Sequence, residues 1–168
     1  MSEVILNFNL NKDEYIAATR IFYEQTHHLK RDSIIAIITL IGGFLLTNWD
    51  KLIGIGSIVI ATVFLVIVLI LLFIVPYQQY KRNPALKEEC VLSFDDNGVT
   101  YKTKDVDSKI AWSIYKRMME TKFFYLLIYA KREGFTIIPK RVFNSSDQEN
   151  EFKKIVIENL PKVGLALT

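Results

Sequence analysis

The chain has 168 residues, 51% of them apolar, and a formal net charge of +3. That length holds one modest soluble domain, or a smaller one joined to membrane segments, and so mild a charge gives no support to nucleic-acid binding. A single cysteine, Cys90, excludes an intrachain disulfide and fits a reducing compartment.

At the N-terminus Val4, Leu6, Phe8 and Leu10 alternate, with Asn7 and Asn9 between them, which predicts a strand of period two. Asn11 stands three residues before Glu14, a capping-box-like start. Tyr15, Ile16, Thr19, Phe22, Tyr23 and Thr26 then follow at helical spacing, so a helix is expected that runs on toward the first apolar stretch. His27 and His28 lie near its end. Adjacent helical positions point in different directions, and neither a cysteine nor a third histidine is near in sequence. They are read as interfacial or helix-end residues rather than as a metal pair.

Two apolar runs come next. Leu52 to Val75 holds 24 residues without a charge. At about 1.5 Å per residue it is long enough to cross a hydrocarbon core of about 30 Å, and a run apolar on all faces is not what a packed soluble core requires. Tyr77, Tyr80, Lys81 and Arg82 follow it, as at an aromatic and basic interface. The stretch from Ser33 to Trp49 reaches 17 residues, the low end for a span. Joined to the second run by Asn48-Trp49-Asp50-Lys51, it is read as the first leg of a transmembrane helical hairpin, 33–49 and 52–75, both legs helical because backbone polar groups in lipid must be satisfied internally. Lys30 and Arg31 precede the hairpin, and Lys81, Arg82 and Lys87 follow it, whereas the connecting loop holds Lys51 beside Asp50. The positive-inside rule then puts both termini in the cytoplasm, in a multi-pass cell-membrane protein. The first apolar run begins far from the N-terminus and no small-residue cleavage site follows it, so a cleaved signal peptide is not expected. Ser57 and Ala61 form a small-xxx-small pair, expected to pack against Gly42-Gly43, with homodimerisation as the other use of such a pair.

From Asn83 the character changes. Asp96-Asn97-Gly98 between two extended runs is a hairpin signal. It lacks the spacing and closing glutamate of a calcium loop, so a turn is expected. Ile110, Trp112 and Ile114 alternate, and Trp112 is read as a core anchor. The segment "KFFYLLIYA" is a further strand, and Arg132-Glu133-Gly134 a turn into the strand from Phe135 to Ile138. Short sequential strands with short loops describe an antiparallel meander that a helix can cover. That helix opens at Ser146, with Glu149 three residues on as a capping box. It carries the apolar stripe Phe152, Ile155, Val156 and Leu160, and ends at Pro161. Between strand and helix lies Pro139-Lys140-Arg141-Val142-Phe143. Pro139 either stops strand pairing or sits on an edge, Phe143 clamps the helix start, and the basic pair either points into solvent or grips a phosphate, lipid or acidic segment.

The expected organisation is therefore an N-terminal strand and amphipathic helix (1–32), a membrane hairpin (33–75), and a cytoplasmic α+β domain (83–168) of antiparallel strands closed by a C-terminal helix. From Pro76 onward the chain has 16 Lys or Arg and 12 Asp or Glu, a mildly basic balance that favours an anionic leaflet. The succession of segments, with "LSFDDNGVTYKT", "AWSIYKRMMET", "FFYLLIYA" and "FTIIPKRVFNSSDQENEF", resembles the YcxB-like family. The resemblance is carried by Phe94, Asp96, Gly98, Trp112, Tyr115, Ile138, Pro139, Lys140, Arg141 and Phe143. Tyr115 departs from it, standing where isoleucine is usual after the tryptophan. The resemblance implies an architecture more than an activity, and by analogy a pleckstrin-homology-like domain.

No glycine-rich phosphate loop, nucleophile elbow, His-Glu-x-x-His or paired cysteine is present, so neither an enzyme nor a cofactor is expected. The function expected is a membrane-anchored, cytoplasm-facing binding or scaffolding module. Its partners are the bilayer, anionic headgroups, or a membrane or cytoplasmic protein, and its candidate contacts are Lys140, Arg141, Lys81 and Arg82. A toxin-immunity protein and an accessory subunit of a membrane complex are the alternatives.

Overall fold

The computed structural model describes residues 3–26, 28–130 and 134–160. His27, the Arg132-Glu133 part of the expected turn, and Pro161 lie outside the described residues. The chain divides into two units, Met1–Ala18 with Asn83–Thr168, and Thr19–Arg82.

The first unit is α+β. Strand β1 (Val4–Asn9) buries every second residue, as its alternation dictates. Its partner is β2 (Glu89–Asp95), some eighty residues later and antiparallel, with Val4 opposite Phe94, Leu6 opposite Leu92 and Phe8 opposite Cys90. These facing pairs all lie on the buried side. Strands β3 (Gly98–Lys102) and β4 (Asp107–Ile110) complete a four-stranded sheet in the order β1-β2-β3-β4. Asp96-Asn97 make the turn between β2 and β3, and Gly98 follows at φ +151°, where a Cβ would stand 2.4 Å from the Ile110 carbonyl oxygen. Both the conformation and the close approach of β4 therefore favour glycine there.

A second sheet has the order β5-β6-β7, formed by Tyr115–Glu120, Phe124–Tyr129 and Phe135–Pro139. Helix Ser146–Asn159 packs on both sheets. Phe152 is fully buried, with its ring edge-on to Phe94 of the first sheet at 4.9 Å and tilted against Tyr125 of the second at 5.3 Å. The helix is capped one residue earlier than the sequence reading placed it. The Ser145 side chain accepts from Gln148 N, and the Gln148 side chain accepts from Asn144 N, which leaves Glu149 free for another role described below. Trp112 lies in a short turn rather than in a strand. It is buried, with its indole N–H donating to the Asp95 carbonyl at 2.9 Å, whereas Ile114 is exposed.

The second unit is helical. Helix α1 (Lys12–Thr26), which begins in the first unit, is followed by α2 (Leu29–Leu46). The two do not run together: His28 adopts φ +51° between them, a left-handed conformation that histidine tolerates better than most residues. Asp50 caps the helix that follows by accepting from Leu52 N and Ile53 N. Helix α3 (Lys51–Arg82) runs for 32 residues and is the one described helix long and apolar enough to cross a membrane. Helix α2 is shorter, and Lys30, Arg31 and Asp32 occupy its first turn.

Helices α2 and α3 pack closely along small residues at heptad spacing, Ala36 and Gly43 on one, Gly54 and Ala61 on the other. A Cβ on Gly54 would stand 2.6 Å from the Thr47 backbone nitrogen, and one on Gly43 would stand 2.9 Å from the Ile58 side chain. Of the four small residues singled out from sequence, Gly43 and Ala61 are buried in this seam. A Cβ on Gly42 meets nothing, and Ser57 bonds its own helix at the Ile53 carbonyl. Away from the seam the pair exposes large apolar side chains on both helices, among them Ile38, Phe44, Leu45, Ile60, Val63 and Leu69.

Candidate functional site

The basic pair sits where β7 ends. Pro139 closes the strand, and Lys140-Arg141-Val142 form a single helical turn, so the two side chains leave the backbone in different directions. The Lys140 amine reaches Glu120 Oε1 of β5 at 2.6 Å and lies 4.7 Å from the centre of the Tyr125 ring. Lys153 of the C-terminal helix meets the same Glu120 oxygen at 3.3 Å and the Tyr125 ring at 5.3 Å. The Tyr125 hydroxyl lies between the carboxylates of Glu120 and Glu149, its one proton serving one of them at a time. Two cations, two anions and a phenol thus form a balanced cluster joining β5, β6, the Lys140 turn and the C-terminal helix. Lys140 holds the Glu120 carboxyl below its ordinary range against the opposing effect of burial. Burial, and then Glu149, push the Tyr125 phenol up.

Arg141 turns the other way, to the N-terminal segment. Its Nε and Nη2 donate to the two oxygens of Glu14, and Nη2 also donates to the Asn9 carbonyl at 2.8 Å. The fork geometry is that of a bidentate arginine–carboxylate pair. Glu14 is also the reciprocal member of the expected capping box. Its backbone N–H donates to Asn11 Oδ1 at 2.8 Å, and its carboxylate accepts from Asn11 N at 3.1 Å. The Arg141 hydrogen bond lowers the Glu14 pKa, burial opposes this, and the Asn11 N–H adds to the lowering. Phe143 packs on Phe152 at 5.3 Å and on Tyr125 at 6.0 Å, between sheet and helix.

Each cation of the pair is therefore engaged within its own unit, and the two do not converge on a common point. Lys81 and Arg82, in the last turn of α3, are exposed. Glu14, Asn9, Glu120 and Tyr125, which complete the Lys140 and Arg141 surroundings, carry no local signal of that role, because their partners lie from 5 to 132 positions away. Cys90 is buried, and desolvation pushes its thiol up to about 12, far from a reactive thiolate. A groove of about 300 Å³ opens between α2 and α3, lined by Asp32, Ile35, Ala36, Thr39, Ile60, Ala61 and Phe64. It is predominantly apolar, and Asp32 is paired with Arg31 at 3.1 Å.

Comparison with known proteins gives two matches of the same kind. Residues 94–156 match the family model of YcxB-like protein. The chain is 26% identical over 102 residues to "Uncharacterized protein YcxB" of Bacillus subtilis (strain 168), a match covering 61% of this chain and 55% of that protein. The chain thus aligns with little more than half the length of that relative. No solved structure matches it. The matched region runs from Phe94 through the Trp112 turn, the Tyr125 cluster and the Lys140-Arg141 turn to Val156 of the closing helix, so over residues 94–156 the chain carries the domain of the YcxB-like family.

Proposed function

We propose that this protein is a two-span membrane protein, with both termini in the cytoplasm, that presents a non-enzymatic, pleckstrin-homology-like binding module at the inner leaflet. The observation that carries the reading is the pairing of β1 with β2 on either side of the helical segment. Strands that exchange backbone hydrogen bonds lie on one side of any bilayer, so the chain between Asn9 and Glu89 crosses it an even number of times. Helix α3 has the length and apolarity of a span; an even count then favours α2 as its return leg. The large apolar side chains exposed on both helices support this, since lipid is the solvent that accepts them. Trp49, 90% exposed at the tip, fits one interface, and Tyr77, Tyr80, Lys81 and Arg82 fit the other.

The binding role is supported by the seven strands among the described residues, in sheets of four and three and closed by a helix, an arrangement similar by analogy to pleckstrin-homology domains. Strand β4 forms one edge of its sheet, which suits addition of a partner segment, and Lys81 and Arg82, exposed at the end of α3, carry a charge that suits anionic headgroups. Reporter fusions at both termini of the full chain test the arrangement: cytoplasmic signals are expected at both ends, and an external signal at either end overturns it. Photo-crosslinkers along β4 and at Arg82, used in native membranes, test the binding role. A defined protein or lipid captured at either place is expected, and capture of nothing beyond bulk lipid removes it.

A further inference from the structure

Arg20 of α1 does something at α3 that neither its position in the sequence nor the family match assigns. Its Nε donates to the Leu72 carbonyl oxygen at 2.9 Å, and its guanidinium carbon lies 4.2 Å from the centre of the Phe73 ring. That carbonyl is available because Pro76, four residues on, has no N–H to give it. The helix loosens there into a π turn, Ile70–Ile74, in which Val75 N bonds Ile70 O. Arg20 supplies the missing donor from outside the helix.

This contact uses one of the five guanidinium donors. No carboxylate pairs with Arg20 among the described residues, although its neighbours in the helical unit are matched: Lys30 with Glu24 at 3.0 Å and Arg31 with Asp32 at 3.1 Å. A half-buried arginine, with an aromatic face behind it and apolar helix around it, carries a full charge that calls for an anion. Its level indicates which anion. Leu72 follows Leu52, near the start of the apolar run, by about 30 Å of helix, the thickness of a hydrocarbon core. Arg20 then stands at the boundary where lipid phosphates lie.

We propose that Arg20 is a binding site for the phosphate of an anionic phospholipid, held by the free Nη edge of a guanidinium whose orientation is set by the Leu72 carbonyl and the Phe73 ring. The proposal rests on the two-span reading above. Arginine suits the role better than lysine, since its planar fork grips two phosphate oxygens while Nε stays bonded to the helix.

The test uses the full chain, purified in neutral detergent and titrated with phosphatidylglycerol or phosphatidylcholine. Binding is read by native mass spectrometry for wild type, Arg20→Gln and Arg20→Lys. Wild type is expected to prefer phosphatidylglycerol about tenfold, with R20Q losing that preference and R20K keeping part of it. Undiminished phosphatidylglycerol binding by R20Q overturns the proposal. So does a wild type without preference, a result that needs no variant to fold. Glycerol phosphate at equal concentration is expected not to compete; full displacement of the lipid by it overturns the lipid source. Alkaline carbonate extraction reads the underlying arrangement separately. Release of wild type from membranes sinks the two-span reading, whereas retention with unchanged R20Q lipid binding sinks the Arg20 site alone.

Discussion

Arg141 and Glu14 are 127 positions apart and joined by a bidentate hydrogen-bonded pair. The Arg141 side chain is 51% exposed and that of Glu14 15%, so solvent screens the pair, and its worth is that of a partly exposed ion pair rather than a buried one. Arg141→Ala is expected to lower stability by about 1 kcal/mol near neutral pH, read by thermal unfolding of the detergent-solubilised chain. The pH dependence follows from the lowered Glu14 pKa. A carboxylate whose folded pKa lies below its unfolded value contributes stability above the unfolded pKa and loses it as pH falls through the folded one. The gap between wild type and R141A should therefore narrow below about pH 4; a constant gap down to pH 3 would count against the pair. The pair of cations at 140–141 was legible in the sequence, and so was the capping role of Glu14. That the two features meet was not legible, because spacing rules describe neighbours on one element, and these residues belong to segments at opposite ends of the chain.

Among the elements, the packing of α2 on α3 turns on backbone approach. Gly54 has the Thr47 backbone against the place a Cβ would occupy, whereas Gly42 has open space. Gly54→Ala should weaken the helix pair by about 1–3 kcal/mol through overpacking. Gly42→Ala should be neutral or slightly stabilising, since alanine is the better helix former by up to about 1 kcal/mol. Thermal denaturation in one detergent compares the two, and equal effects would contradict the seam described here. The presence of small residues in both apolar runs was readable, but which of them face the partner helix was not. Neighbouring glycines lie about 100° apart on a helix, and only the packed pair decides whether Gly42 or Gly43 turns inward.

For the whole molecule, the consequential feature is that the helical segment is an insertion between two paired strands. Asn9 stands opposite Glu89, so the two strand ends are already placed as in a β-hairpin. Joining Asn9 to Glu89 by a short Asn-Gly turn, with residues 10–88 removed, should give a soluble, folded α+β domain. It should be less stable than the same fold with its Arg141–Glu14 contact, since Glu14 goes with the insert. Dispersed amide resonances in a nuclear magnetic resonance spectrum would report success, and a collapsed, aggregating product would show that β1 needs the intact connection.

By itself the sequence determined what local chemistry dictates. Alternation marked β1, a charge-free run marked α3, Asp96-Asn97-Gly98 marked a turn, and the apolar stripe with its nearby cap marked the closing helix, to within one residue of its cap. Each of these signals lies within a few residues, where backbone geometry and side-chain period act directly. Only the tertiary structure decided that β1 pairs with β2, that Lys140 and Arg141 face different carboxylates, that Glu149 turns to Tyr125, and that Arg20 fills the carbonyl left by Pro76. In each case a hydrogen-bonding group or charge could be satisfied by many chemically equivalent partners. The one it takes is set by which surfaces the packed core brings within about 3 Å, a property of the folded chain and not of any stretch of it.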